Sequence, residues 1–160
     1  LCTTLSPALP YALFDTSVSS ASEVERFNGN VVFEGIIDCA KAAIENDIPV
    51  VLGNDVGCPW ITQYDFWREL YYFKKFVGVS NSFAVYTATK RAALIAGIGE
   101  ETGSIEVGKA ADMIVVKDNP LEDLRALRRV EKVIARGKLY DKPKFKANKR
   151  IAAELDKFID

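Results

Sequence analysis

Ile48-Pro49-Val50-Val51-Leu52-Gly53-Asn54-Asp55-Val56-Gly57 is the stretch on which the fold turns. A continuous apolar run opened by proline has the pattern of a strand buried on both faces in a parallel sheet, and the Gly-Asn-Asp that follows closes it as a turn. Just upstream, over residues 31–46, apolar residues recur at Val32, Ile36, Ala40, Ala43 and Ile44, with Lys41, Glu45 and Asp47 turned away. That spacing predicts a helix with one buried face. Residues 15–22 read as a polar loop, and residues 1–6 as a short β-compatible segment ended by Pro7. The order is β-α-β. A carboxylate just past the end of a buried parallel strand lies at the carboxyl edge of the sheet, where α/β folds and barrels place their ligands. Asp55 is that carboxylate. The plainer reading, in which Asn54 and Asp55 only close a turn onto nearby backbone amides, stands beside it.

Working downstream, an aromatic-rich helix is expected over residues 64–77, stopped by Gly78. Ser80 is a good N-cap for a second helix reaching Ala96, with Ala84, Ala88, Ala92 and Ile95 on one face and Gly97 at its end. Beyond Gly97 the pattern changes. Residues 104–107, 112–116, 130–135 and 138–140 read as short strands separated by Gly108, Asn119-Pro120 and Arg136-Gly137, with room for one helical turn at 121–127. These form a small antiparallel β unit. The tail from Asp141 is lysine-rich, and Ile151, Leu155 and Phe158 give it a weak apolar stripe on a terminal helix.

Composition narrows the function. The chain has 160 residues, 49% hydrophobic and 27% charged, enough apolar material for a packed core. Twenty-one basic against 22 acidic residues leave a net charge of −1, so no overall field attracts nucleic acid or an anionic membrane surface. No apolar run approaches the roughly 18 residues of a spanning helix. Three scattered cysteines, Cys2, Cys39 and Cys58, make neither a disulfide framework nor a zinc knuckle, which points to a reducing cytoplasm. There is no histidine. Ser-His-Asp and Cys-His machinery and imidazole metal ligation are therefore excluded within this chain. The chain also opens at Leu1 inside an apolar segment, and it is expected to be a piece of something larger.

Three segments carry a family resemblance. The stretch quoted first looks like an eighth barrel strand. Tyr86-Thr87-Ala88-Thr89-Lys90-Arg91-Ala92-Ala93-Leu94-Ile95-Ala96-Gly97 looks like the alanine- and threonine-patterned helix that follows it. Gly103-Ser104-Ile105-Glu106-Val107-Gly108-Lys109-Ala110-Ala111-Asp112-Met113-Ile114-Val115-Val116, then Asn119-Pro120-Leu121 and Val133-Ile134-Ala135-Arg136-Gly137-Lys138-Leu139-Tyr140, is the most specific match. Together they resemble the C-terminal portion of the amidohydrolase superfamily, in its imidazolonepropionase-like and Xaa-Pro-dipeptidase-like branch. The resemblance implies an α/β fold made of the last two β-α units of a (β/α)8 TIM barrel plus C-terminal strands of a small β-sandwich. Residues 1–97 would be barrel, 98–140 sandwich strands, and 141–160 a charged, helical tail.

By the same resemblance Asp55 is both a metal ligand and the catalytic carboxylate that moves a proton between attacking water and leaving amine. The resemblance implies a divalent metal, zinc first among them, in a full-length parent that hydrolyses C–N bonds of cyclic amides or peptides. The family's histidine ligands and bridging lysine have no counterpart here, so the chain alone is expected to be inactive and metal-free. No substrate-binding residue is assigned. Cys58, without a histidine to activate it, is given no catalytic role. The aromatic residues from Trp60 to Phe73 read as core rather than pocket, and Arg125, Arg128, Arg129 and the lysines of the tail as solvated faces. The expected partners are a small-molecule substrate and a second copy of the chain, since a barrel fragment would leave strand edges and the outer faces of Thr4, Val50 and Leu52 open. The alternative is a self-contained noncatalytic α/β domain that mediates protein association.

Overall fold

The structure is a computed structural model and describes residues 1–159; Asp160, the last residue of the tail, lies outside the described residues. Strand β1 (Cys2–Thr3) pairs in parallel with β2 (Val51–Leu52), Cys2 opposite Val51 and Thr3 opposite Leu52. Both strands are shorter than the apolar segments that contain them, because each is paired on one side only within the described residues. Between them run α1 (Leu9–Leu13), α2 (Thr16–Ser19) and the long α3 (Glu23–Glu45). The segment expected as a loop at 15–22 is mostly cap chemistry. The Asp15 carboxylate accepts the Ser17 N–H to start α2, and Ser22 and Glu25 form a reciprocal capping box that starts α3 eight residues earlier than its periodicity shows. Helix α1 crosses α3 at Gly29, where a Cβ would lie 2.5 Å from the Cβ of Tyr11. Only glycine allows that approach.

After β2, α4 (Phe66–Tyr72) runs into a π-helical turn (Phe73–Val77), and Gly78 ends it with φ +88°. Trp67, Tyr71, Tyr72 and Phe73 are buried, as a core reading of this helix requires. The Ser80 hydroxyl caps α5 (Asn81–Ala88) as expected. The helix expected to reach Ala96 is instead broken at Thr89, whose hydroxyl bonds back to the Val85 carbonyl at 2.7 Å, and resumes as α6 (Lys90–Ile95). Val50 and Leu52 are 0% and 7% exposed and sit in the main core cluster. The open outer faces expected for these two strand residues are thus a misreading: α5 and α6 both pack against β2.

Strands β3 (Met113–Val116), β4 (Val130–Ala135) and β5 (Lys138–Asp141) form an antiparallel sheet in the order β3-β4-β5. Arg136 and Gly137, at φ 51° and 79°, make the two-residue turn that joins β4 to β5. A 3-10 turn (Leu124–Arg128) fills the place expected for one helical turn. Residues 104–107 form no strand. Ile105 and Val107 are exposed, with no neighbouring ladder to hold them. The tail forms α7 (Lys149–Asp156), whose Leu155 is buried. No helix of the described residues is long and apolar enough to cross a membrane.

Candidate active site

β1 and β2 run in parallel, so the segments that follow them, Thr4-Leu5-Ser6 and Gly53-Asn54-Asp55, lie at the same end of the pair. Asp55 has a left-handed backbone, φ 50°, which aspartate tolerates better than most side chains. Its carbonyl accepts the Cys58 N–H at 3.2 Å and its Oδ2 accepts the Cys58 thiol at 3.1 Å. Asp55 therefore does close a turn, but its exposed carboxylate is not spent on backbone amides. The hydrogen bond to that carboxylate, with some burial, pushes the Cys58 thiol above its ordinary pKa. A protonated thiol is a poor nucleophile, in keeping with no catalytic role for Cys58. All three cysteines are free thiols.

A small, partly open cavity of about 10 Å³ is lined by Ser6, Asn54, Thr62, Arg68, Tyr72 and Leu155. That is room for a single water. Arg68 is buried, donates to Asp156 at 2.7 Å and lies 3.6 Å from Asp65. Its Nε and Nη1, and the Tyr72 hydroxyl, make no hydrogen bond among the described residues. On the same helix the Glu69 carboxylate is completely buried. Its Oε1 accepts the Leu5 N–H at 2.6 Å, and its Oε2 accepts the Ser6 N–H at 2.8 Å and the Ser6 hydroxyl. Burial pushes its pKa up to about 7 in spite of those hydrogen bonds.

The sequence pointed to Asp55 as a candidate and did not single out Arg68, Glu69 or Asp156. The one local signal was a charged pair, Arg68-Glu69, set inside the aromatic run Phe66 to Phe73. Arg128 is exposed, as a solvated face requires, and from there it donates to Asp156 at 2.7 Å.

Among the described residues no three Cys, Asp or Glu side chains gather where a metal ion could sit. A closed or catalytic zinc site needs three or four donors. Asp55, one carboxylate with one thiol beside it, does not make up such a site within this chain.

The amidohydrolase family's sequence profile matches residues 19–140. Among solved structures, a candidate prolidase from Bifidobacterium longum is 38% identical with a TM-score of 0.94, over 98% of this chain and 39% of that one. A Xaa-Pro dipeptidase with methionine bound in its active site is 30% identical, TM-score 0.72, over 86% of this chain and 33% of that one. The ochratoxinase of A. niger is 25% identical, TM-score 0.62, over 79% of this chain and 29% of that one. The chain thus spans at most 39% of the length of these proteins. No curated protein matches it. A family profile that runs from α2 through β5, over a mixed α/β fold shared with these hydrolases, means that the chain belongs to the amidohydrolase family.

Proposed function

We propose that this chain is the C-terminal part of a metal-dependent amidohydrolase that cleaves the C–N bond of a small peptide, with the imide bond before proline as its preferred target. The α/β region, residues 1–97, then supplies the last two β-α units of a (β/α)8 barrel, and the sheet β3-β4-β5 supplies strands of the accompanying sandwich. The observation that carries this reading is the exposed Asp55 carboxylate at the carboxyl end of β2. The names of the neighbours, a candidate prolidase and a Xaa-Pro dipeptidase, favour peptides over cyclic amides.

The chemistry assigned to Asp55 balances in protons. As water adds to the scissile carbonyl carbon, the carboxylate takes the water's proton; as the C–N bond breaks, it returns that proton to the departing nitrogen. A proline nitrogen leaves as a secondary amine, a poor leaving group unless protonated, so the second transfer matters as much as the first. Asp55 is also proposed as one ligand to the divalent metal of the complete enzyme, whose other donors lie outside this chain. The chain alone is then inactive. The second reading, a self-contained domain, draws on the closed burial of Val50 and Leu52.

Asp55→Asn in the full-length enzyme tests the assignment. The fold should persist while kcat falls about a hundredfold or more, on the order of 3 kcal/mol. Turnover of Xaa-Pro dipeptides near the wild-type value would remove Asp55 from the reaction.

A further inference from the structure

Among the described residues no cation pairs with the Glu69 carboxylate, in a place where burial makes charge costly. The neighbouring guanidinium of Arg68 is directed to Asp156 and Asp65. What Glu69 holds instead is backbone: the N–H groups of Leu5 and Ser6, with the Ser6 hydroxyl added to the same oxygen as the Ser6 N–H. These two amides lie just past the end of β1, where the parallel ladder no longer supplies acceptors.

The position of that segment bears on Asp55 through direct contacts. The last ladder bond runs from the Gly53 N–H to the Thr3 carbonyl at 2.9 Å. Gly53 then passes so close to β1 that a Cβ on it would lie 3.1 Å from Thr4 Cγ2 and 3.2 Å from Cys2 Sγ. Thr4 is followed at once by the two residues that Glu69 grips, and Gly53 is followed by Asn54 and Asp55. Ser6 and Asn54 also line the same small cavity. Asp55 itself has a left-handed backbone, which persists only when its surroundings are fixed.

We propose that Glu69 is a positioning residue for the reacting carboxylate: by fixing Leu5 and Ser6 it sets Thr4 against Gly53, and so sets the direction in which Asp55 leaves the strand. This rests on the reading of Asp55 given above. Displacements of an ångström at a reacting group cost up to about a hundredfold in rate, so a loosened strand end has room to act.

The test is a double-mutant cycle in the full-length enzyme with a Xaa-Pro dipeptide. Glu69→Gln keeps the shape but presents an NH2 group to donors. It should lower kcat about tenfold with KM within about twofold, and should cost nothing further in an Asp55→Asn background. A purely structural role would cost the same factor in both backgrounds. Equal factors, an unchanged kcat, or a change confined to KM would each overturn the proposal. Should Glu69→Gln fail to fold, Ser6→Ala carries the same cycle. It removes only the hydroxyl contact, with an expected loss of about threefold in the wild-type background and none in Asp55→Asn, and wild-type behaviour of Ser6→Ala would overturn the proposal. If Asp55→Asn by itself leaves kcat unchanged, it is the assignment of Asp55 that fails. If Asp55→Asn is impaired and Glu69→Gln is not, only the positioning role fails.

Discussion

Arg68 and Asp156, 88 residues apart in the chain, meet at 2.7 Å. The arginine side chain is 3% exposed and the aspartate 34%, and the other oxygen of Asp156 takes Arg128 at 2.7 Å. Both guanidinium groups also lie over the Trp67 ring, at 4.7 and 5.7 Å from its centre. Around this pair the tail is stitched down: Asn148 donates its N–H to the Tyr64 hydroxyl, Phe145 stacks on Tyr64, and Phe158 stacks on Phe14. The lysine-rich tail is therefore part of the core's boundary rather than a loose charged end.

Removing Asp156 should release that tail. Asp156→Ala leaves a buried guanidinium with one weaker partner, Asp65 at 3.6 Å. The expected loss lies between that of a surface pair and a fully buried one, about 2 kcal/mol. Urea denaturation of the 160-residue chain measures it. Limited trypsin digestion should also cut at Lys144 or Lys146 faster in the variant, and equal cutting rates would show that the pair does not hold the tail.

Glu69 predicts a fall in stability with rising pH. Its pKa in the folded chain is raised to about 7 from an ordinary 4.5, so the folded chain binds the proton more tightly than the unfolded one. The stability it contributes is full below about pH 4.5, declines as pH rises towards 7, and levels off above. The span amounts to about 3 kcal/mol. Asp156 acts with the opposite sign: burial resists its charge, but Arg68 and Arg128 hold its carboxyl below the usual range, so its contribution is lost in acid. Comparing wild type with Glu69→Gln isolates the Glu69 part, since Asp156 is common to both. Between pH 5 and pH 8 the wild type should lose stability relative to the variant. Parallel stability curves for the two would show that Glu69 does not titrate in this window.

How far the sequence carried depends on how local each feature is. Gly78, the Ser80 cap, β4 and the turn at Arg136-Gly137 are where short-range rules put them, because each is decided by residues a few positions apart. The capping box was equally local and was readable in Ser22 and Glu25, but the polar composition of 15–22 masked it. Residues 104–107 fail for the opposite reason. Their β-compatible residues need a partner strand, and none of the described residues supplies one. Glu69 and Asp156 were harder to reach, because Leu5, Ser6 and Arg68 lie more than 60 residues from them, and the local sign was no more than a charged pair, Arg68-Glu69, inside an aromatic run.

Metal analysis separates the chain from the enzyme it is proposed to complete. With one exposed carboxylate at the strand end and no donor cluster among the described residues, the purified chain should hold far less than one equivalent of zinc after dialysis. The full-length enzyme should retain its metal under the same treatment. Stoichiometric zinc on the chain alone, by elemental analysis, would reveal a site absent from this geometry.

The last prediction concerns α3. Val24, Phe27, Val31 and Val32 are 68%, 68%, 56% and 52% exposed, and the first three follow each other at helical spacing along one face. Beside them an open groove of about 460 Å³, lined by Tyr11, Gly29, Val32 and Ile36, runs between α1 and α3. A second groove of about 250 Å³ reaches from α3 to the edge of β1, where Cys2 and Thr3 have a strand on one side only among the described residues. Fully burying an aliphatic or aromatic side chain contributes about 1.5–3 kcal/mol, so four that are already half covered fall short of stable association by themselves once its entropy is counted. Pairing of two β1 edges adds to them and removes the unpaired strand. The chain by itself should therefore form a twofold-symmetric dimer at tens of micromolar, with α3 and β1 at the contact. Light scattering coupled to size exclusion should show twice the chain mass, and Phe27→Asp should return a monomer with unchanged far-ultraviolet dichroism. A wild-type monomer at that concentration would show that this stripe tolerates water, and would count in favour of the self-contained domain.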